Sequence, residues 1–241
     1  MAVYDVFNGD ADGICALLQL RQSSPCDSVL VTGVKRDIAL LRQVNAQPGD
    51  RITVLDVSLD KNRDALVDVL NAGADVLYVD HHHPGDIPEH PRLEALINVA
   101  PEVSTSALIN GYLGGQCAAW AVVGCFGDNL DTTAEKLATT LSVPVDLARW
   151  KELGVLINYN GYGATINDLH FPPADLYRRL LPHASPQACL EDDPALIETL
   201  SAAYDEDMRQ AETAPRLIEE SRLAVIELPD APWARRVSGV Y

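Results

Sequence analysis

The chain carries the triplet Asp80-His81-His82 directly after the apolar run 76–79 and before a Pro-Gly turn. A carboxylate and two imidazoles can bind a metal ion or move protons, and the apolar run has the composition of a buried strand. The triplet is therefore typical of a strand that delivers metal ligands to a loop. A histidine-rich turn can also be a solvated surface loop, so the triplet alone does not decide between the two.

Two further apolar runs upstream also end in acidic residues. The run 3–7 leads to Asp10 and Asp12, and the run 52–55 leads to Asp56. If all three runs are parallel strands, their carboxyl ends meet at one edge of the sheet, where ligands bind in open α/β folds. An Asp before a helix can equally be a cap or a turn residue.

The first half of the chain alternates apolar runs with helical stretches, which predicts an α/β fold with a parallel sheet and helices on both faces. We expect strands at 3–7, 28–33, 52–55, 76–79 and 95–99, and helices at 13–22, 36–45 and 61–72.

The second half is predicted to be mainly helical. Helices are expected at 105–113, 116–127, 133–141, 145–158 and 173–181, then one or two charged amphipathic helices within 194–221 and a strand at 222–229. The segment 104–106 has the form of an N-cap.

The composition is that of a globular protein: 47% of the 241 residues are hydrophobic and 22% are charged. The longest uncharged apolar stretch, 117–126, is far shorter than the roughly 20 residues that span a bilayer. The start of the chain lacks a basic segment, and an odd number of cysteines, five, suggests no disulfide framework. We expect a cytoplasmic protein with no membrane partner.

The formal net charge of −17 opposes non-specific binding to long nucleic acids, which depends on cationic surface. A local basic patch is still compatible with this charge.

The ordered motifs resemble the DHH phosphoesterase superfamily over roughly residues 1–190. The segments Gly9-Asp10-Ala11-Asp12-Gly13 and Asp80-His81-His82-His83-Pro84-Gly85 look most similar to its RecJ-like branch, while Asp56 and Asp128 match the second and fourth motifs. The resemblance implies hydrolysis of phosphodiesters or phosphoanhydrides with a divalent metal, usually Mn²⁺, with Mg²⁺ as an alternative.

By this resemblance, one ion is bound by four residues, and Asp56 bridges to a second ion near Asp10. The four are Asp12, Asp56, His81 and Asp128. Two such cations would lower the pKa of a water and neutralise phosphoryl oxygens. His82 is expected to face the scissile phosphate, and Asp80 to orient an imidazole or complete a coordination sphere.

Some relatives have a histidine where this chain has Val6, so the ion near Asp10 is expected to have few protein ligands.

The substrate is expected to be a phosphorylated small molecule or a short single-stranded nucleic acid. Alternatives are a polyphosphate or other phosphoanhydride, or a catalytically silent module that binds metal or nucleotide. Further candidate substrate contacts are Lys35, Arg36, Ser104, Thr105, Tyr159 and Asn160. Lys35 and Arg36 can instead be a solvated basic pair, and Ser104 and Thr105 can be part of a helix cap. The segment around Tyr159 and Asn160 can be a helix end determined by its glycines.

The resemblance divides the chain into a DHH domain at 1–190, a linking helical segment at 191–221 and, at 222–241, a fragment of a second domain of the DHHA1 type. The second domain is expected to be truncated, or else replaced by a variant arrangement that completes the site differently.

Overall fold

The computed structural model describes residues 1–220 and 223–239 of the chain. A parallel sheet of five strands is built from β1 (Val3–Phe7), β2 (Val29–Thr32), β3 (Arg51–Leu55), β4 (Asp75–Asp80) and β5 (Leu93–Ile97). The spatial order is β2-β1-β3-β4-β5, and every neighbouring pair is parallel. The prediction of a parallel α/β sheet is confirmed.

The helices surround this sheet and then form a helical second half. They are α1 (Ala11–Ser23), α2 (Leu59–Asn71), α3 (Thr105–Tyr112), α4 (Ala118–Gly127), α5 (Asp131–Ala138), α6 (Leu147–Asn160), α7 (Pro173–Leu180), α8 (Pro186–Asp192), α9 (Pro194–Glu212) and α10 (Pro232–Val237). An antiparallel hairpin of β6 (Arg216–Glu220) and β7 (Leu223–Ile226) lies between α9 and α10.

Both faces of the sheet are covered, because successive strand residues point to opposite sides. Phe7 and Leu55 belong to a large core that includes Trp120 on α4. The residues just before them, Val6 and Val54, belong to a second core on the other face. All five side chains are at most 1% exposed. The predicted helices on both faces are thus confirmed.

The predicted helix at 36–45 is wrong. Only a short 3₁₀ turn forms there, at Leu40–Gln43. The buried side chain of Asn62 on α2 donates to the carbonyl of Ile38 at 2.6 Å and accepts from the backbone N–H of Leu41 at 3.1 Å. A side chain from another element therefore satisfies backbone groups that a helix would otherwise pair internally.

The prediction of helix up to residue 221 is also wrong, because α9 ends at Glu212 and β6 follows. Propensity alone could not identify β6, whose hydrogen bonds are made to β7.

The division into domains stays a prediction; its boundary residues 221 and 222 and the last two residues lie outside the described part of the chain. Helix α10, beyond the hairpin, is attached to the helical half: its Arg236 forms a buried ion pair with Asp207 on α9 at 2.7 Å. In the described ranges, no helix combines the length and the apolar composition needed to cross a membrane.

Candidate metal centre

The carboxyl ends of the strands bring the predicted acidic residues to one edge of the sheet. Asp10 caps α1, Asp56 follows β3, and Asp80 is the last residue of β4. Asp128 reaches the same place from the end of α4, whose residues pack closely on α1. A cavity of ≈ 290 Å³ opens there.

His81 lies at the centre of the cluster. Its Nε2 is 3.3 Å from Oδ1 of Asp56, 3.4 Å from Oδ2 of Asp128 and 3.9 Å from Oδ2 of Asp12. Its other ring nitrogen, Nδ1, lies 2.8 Å from the carbonyl oxygen of Val103, which can only accept. In a neutral ring the proton is therefore on Nδ1, and the Nε2 lone pair faces three carboxylates.

These residues fit a hard divalent cation. Adjacent ligands of an octahedral ion are separated by about 2.9 Å around Mg²⁺ and about 3.5 Å around Ca²⁺. The separations of 3.3 to 3.9 Å between His81 and the carboxylate oxygens are close to these values. Two groups of three residues each have donor atoms that lie within 4.8 Å of one another. His81 belongs to both groups, with Asp12 and Asp128 in one and with Asp56 and His82 in the other.

Asp12 is anchored by the N-terminus of α3. Its Oδ2 accepts from the backbone N–H of Thr105 at 2.6 Å, and its Oδ1 accepts from the backbone N–H of Ser106 at 2.8 Å and from the Ser106 hydroxyl. A carboxylate has about four lone-pair sites, so capacity for a metal ion is left.

Ser104 and Thr105, two predicted substrate contacts, lie at this same helix end. Both are fully buried. The Ser104 hydroxyl caps α3 by accepting from the N–H of Ala107, while the Thr105 hydroxyl donates to Oδ1 of Asp56 at 3.1 Å. Thr105 is thus paired with two candidate metal ligands, whereas Ser104 caps the helix that anchors Asp12.

Two residues at the site have left-handed backbone conformations. Asp56 has φ 58° and Asn129, next to Asp128, has φ 59°. In the described part of the chain no other residue except glycine has a positive φ. Asp and Asn tolerate this region better than other residues, but such positions cost roughly 1–3 kcal/mol and concentrate at functional sites.

Mutual repulsion makes the cluster electrostatically costly without a cation. Burial, followed by the charges of Asp10 and Asp12, raises the pKa of Asp56 well above its ordinary value. Burial and the same two neighbours raise the pKa of Asp128 to about 6. A divalent cation would relieve this repulsion, since it favours the ionised carboxylates.

His82 differs from His81 in its surroundings. Its Nδ1 lies 2.7 Å from Oδ1 of the buried Asp80, and its side chain is 46% exposed at the cavity. The hydrogen bond that His82 donates to Asp80 raises the pKa of His82 above its usual value of 6.5. Asp80 is thus placed to orient His82, with its second oxygen buried and without a hydrogen-bond partner among the described residues.

Lys35 reaches the cluster from the loop after β2. Its ammonium Nζ is 2.7 Å from Oδ2 of Asp10, 3.1 Å from Oδ1 of Asn158 and 3.5 Å from Oδ1 of Asp128. Burial opposes the charged form, but Asp10 and Asp128 outweigh it and raise the pKa of Lys35 above its usual value.

Two predicted substrate contacts lie elsewhere. Arg36 is exposed and donates to the Ser238 hydroxyl at 3.0 Å. The Asn160 side chain donates to the carbonyl of Phe171 and accepts from its N–H, which fixes a loop. Neither residue lines the cavity, and their substrate roles stay predictions.

Tyr159, another predicted substrate contact, is buried in the structure. Its ring is 1% exposed, and its hydroxyl donates to Asp207 and lies 3.1 Å from Nε2 of His170. A nucleic-acid base cannot stack on a ring buried beneath α9 and α10.

Sequence reasoning missed several residues around the cavity. They are Ile38, Ser58 and Lys61, which line it, and Val103, whose carbonyl oxygen contacts His81. The role of the Val103 carbonyl has no sequence signal.

No protein-family model and no curated protein matches the chain. Among solved structures it resembles one described as exonuclease RecJ bound to manganese, with a TM-score of 0.54 and 15% identity over 89% of this chain and 66% of that one. It also resembles RecJ in complex with Mn²⁺ from Thermus thermophilus, with a TM-score of 0.49 and 18% identity over 88% of this chain and 36% of that one.

The chain thus spans 66% of the first RecJ structure and 36% of the second. The first similarity shows an α/β fold of the RecJ-like DHH type. The clustered aspartates and His81 at its strand ends have the donor atoms of a candidate metal centre.

Proposed function

We propose that this protein is a divalent-metal-dependent phosphohydrolase that cleaves phosphodiester bonds of nucleotides or short single-stranded oligonucleotides. Mn²⁺ is the proposed ion, with Mg²⁺ as an alternative. The observation that carries the proposal is the position of Nε2 of His81 among the carboxylates of Asp12, Asp56 and Asp128. Three carboxylates and one imidazole suit a hard or borderline divalent ion.

When bound, a divalent ion supplies a water of lowered pKa and positive charge for the phosphoryl oxygens. Side chains of the protein supply the proton transfers and hydrogen bonds. His82, held by Asp80 and facing the cavity, can donate a proton or hydrogen bond to a phosphate oxygen or to the leaving group. The raised pKa of His82 keeps this donor protonated to a higher pH than an ordinary histidine.

The size and charge of the molecule favour a small substrate. The cavity of ≈ 290 Å³ lies at the lower end of the range for small-molecule sites. Lys35 and Lys61 line it, whereas the chain as a whole carries a charge of −17. Two lysines at the cavity supply positive charge for a phosphate group, while the net negative charge disfavours non-specific binding to long nucleic acids.

A second candidate is a phosphoanhydride such as polyphosphate. Of the described residues that line the cavity, none is Phe, Tyr or Trp, so base stacking is not evident in its lining. A substrate without a base needs no such surface.

A substrate panel tests the proposal. The full chain is incubated with Mn²⁺ or Mg²⁺ and a chromogenic phosphodiester, a dinucleotide, or polyphosphate. We expect Mn²⁺-dependent turnover of the diester and dinucleotide that chelation abolishes. Turnover of polyphosphate alone would favour the second candidate, and Mn²⁺ binding without turnover of any substrate would favour a silent module.

A cytoplasmic location stays a prediction. It is supported by the five cysteines, all of which are free in the structure, as is usual in a reducing compartment.

A further inference from the structure

We propose that the ammonium group of Lys35 permanently occupies the place of a second metal ion, so that the site binds one divalent ion beside His81. This inference rests on the proposed function and specifies its metal stoichiometry.

The first argument is the coordination of Asp10. Its Oδ1 accepts from the backbone N–H of Gly13 at 3.1 Å, which caps α1. Its Oδ2 forms the 2.7 Å ion pair with Lys35. The carboxylate still has free lone pairs, but the cation position beside its Oδ2 is already filled by the ammonium of Lys35.

The second argument is the coordination of the ammonium. An ammonium has three N–H donors. Three oxygens surround it, from Asp10, Asn158 and Asp128, at 2.7, 3.1 and 3.5 Å. The Tyr162 ring also lies 5.5 Å away, within the range of a cation–π contact. Removing the ammonium would be unfavourable, because the carboxylates of Asp10 and Asp128 would then repel each other.

Asp128 links the two cation positions. Its Oδ2 faces Nε2 of His81 at 3.4 Å, and its Oδ1 faces Nζ of Lys35 at 3.5 Å. A carboxylate bridging two metal ions would use its oxygens in the same manner, with one oxygen towards each cation. Here one of the two cations is part of the chain.

The backbone that carries Lys35 is held against the Asp10 loop. The Lys35 N–H donates to the Gly161 carbonyl at 2.8 Å. A side chain on Gly9 would collide with the carbonyl oxygen of Gly33, so the loops after β1 and β2 are in direct contact. The side chain of Lys35 is 26% exposed. The ammonium can therefore leave the site only if its side chain breaks three polar contacts, because the backbone at Lys35 is held in place.

A fixed ammonium and a second metal ion are not equivalent. Both supply positive charge for a phosphate, but an ammonium has no coordination site at which to lower the pKa of a water. Activation of the attacking water then depends on the ion beside His81 alone.

The test measures Mn²⁺ bound per chain by equilibrium dialysis and elemental analysis, with low-temperature electron paramagnetic resonance to distinguish an isolated ion from a spin-coupled pair. We expect the full chain to bind one isolated ion. Lys35→Met removes the charge at similar length and should bind two coupled ions. Lys61→Met, which changes the other lysine of the cavity, should bind one.

Asp10→Asn gives a second test that does not depend on Lys35 variants folding, because Asn is also a good N-cap. If Asp10 holds Lys35 and no metal, this change should weaken Mn²⁺ binding less than about 10-fold, the smallest effect usual for partners of metal ligands. Two ions in the unaltered chain, or one ion in a folded Lys35→Met variant, would overturn the inference and leave the proposed function intact. No bound ion in the unaltered chain would refute the proposed function itself.

Discussion

Nδ1 of His81 lies 2.8 Å from the carbonyl oxygen of Val103, two residues before α3 begins. The first N–H groups of the same helix bind the carboxylate of Asp12. One short segment therefore fixes the tautomer of the imidazole and the position of a facing carboxylate. Partners of this kind align metal ligands before the ion binds, and so they reduce the entropic cost of metal binding.

Asp56→Asn should abolish Mn²⁺ binding and lower hydrolysis by more than about 100-fold, the upper end of the loss seen for partners of metal ligands. The change removes a charge at nearly constant volume, and Asn tolerates the left-handed backbone at this position. Isothermal titration with Mn²⁺ and a diester assay measure the two effects. Asp64→Asn, on the exposed side of α2, is the matched control and should be silent. Full activity in Asp56→Asn would refute the site assignment.

His81→Ala and His82→Ala should differ in kind. His81→Ala removes the nitrogen that faces three carboxylates and should weaken Mn²⁺ binding. His82→Ala should leave the ion bound and lower kcat, because His82 is paired with Asp80 and faces the cavity. Mn²⁺ titrations and turnover at saturating Mn²⁺ separate the two effects. Equal loss of metal in both variants would show that the roles are misassigned.

Much of the fold was predictable because the strands are mainly apolar, and three of them lead into acidic residues. Asp10, Asp56 and Asp80 come together simply because parallel strands share an edge. Their chemistry could be anticipated from the sequence, although their individual roles stay predictions until the variants are measured.

Contacts between distant segments were not predictable from the sequence. Thr105 binds Asp12 across 93 positions, and Lys35 reaches Asp10 because β2 lies next to β1 in the sheet. Tyr159 looks like a stacking surface in the sequence, but its ring is buried and its hydroxyl donates to Asp207 on α9. Propensity and motif order contain no information about such packing.

Asp80→Asn should change the pH dependence of turnover through His82. The Asp80 carboxylate raises the pKa of His82, so the imidazolium persists to a pH above the usual 6.5. Loss of the negative charge should lower the pKa of His82. If protonated His82 assists the reaction, the alkaline limb of the kcat profile moves to lower pH by the same amount. Profiles of the unaltered chain, Asp80→Asn and His82→Ala decide this; an unmoved limb in Asp80→Asn contradicts the assignment.

Asp128→Asn should stabilise the metal-free protein at neutral and alkaline pH. The pKa of Asp128 is about 6 in the folded chain and 3.8 in the ordinary case, so the folded state holds this proton more tightly than the unfolded state. The contribution of the group is favourable below pH 3.8 and is lost as the pH rises through about 6, a total on the order of 1–3 kcal/mol. Asn cannot ionise, so the variant does not lose this stability as the pH rises. Urea unfolding in the presence of chelator should show that the free energy of unfolding of the variant rises relative to that of the unaltered chain between about pH 4 and 7. Glu135→Gln, an exposed control on α5, should show no such rise. Added Mn²⁺ should reverse the order, because it stabilises only the protein that binds it. A stability difference that does not change with pH would contradict the prediction.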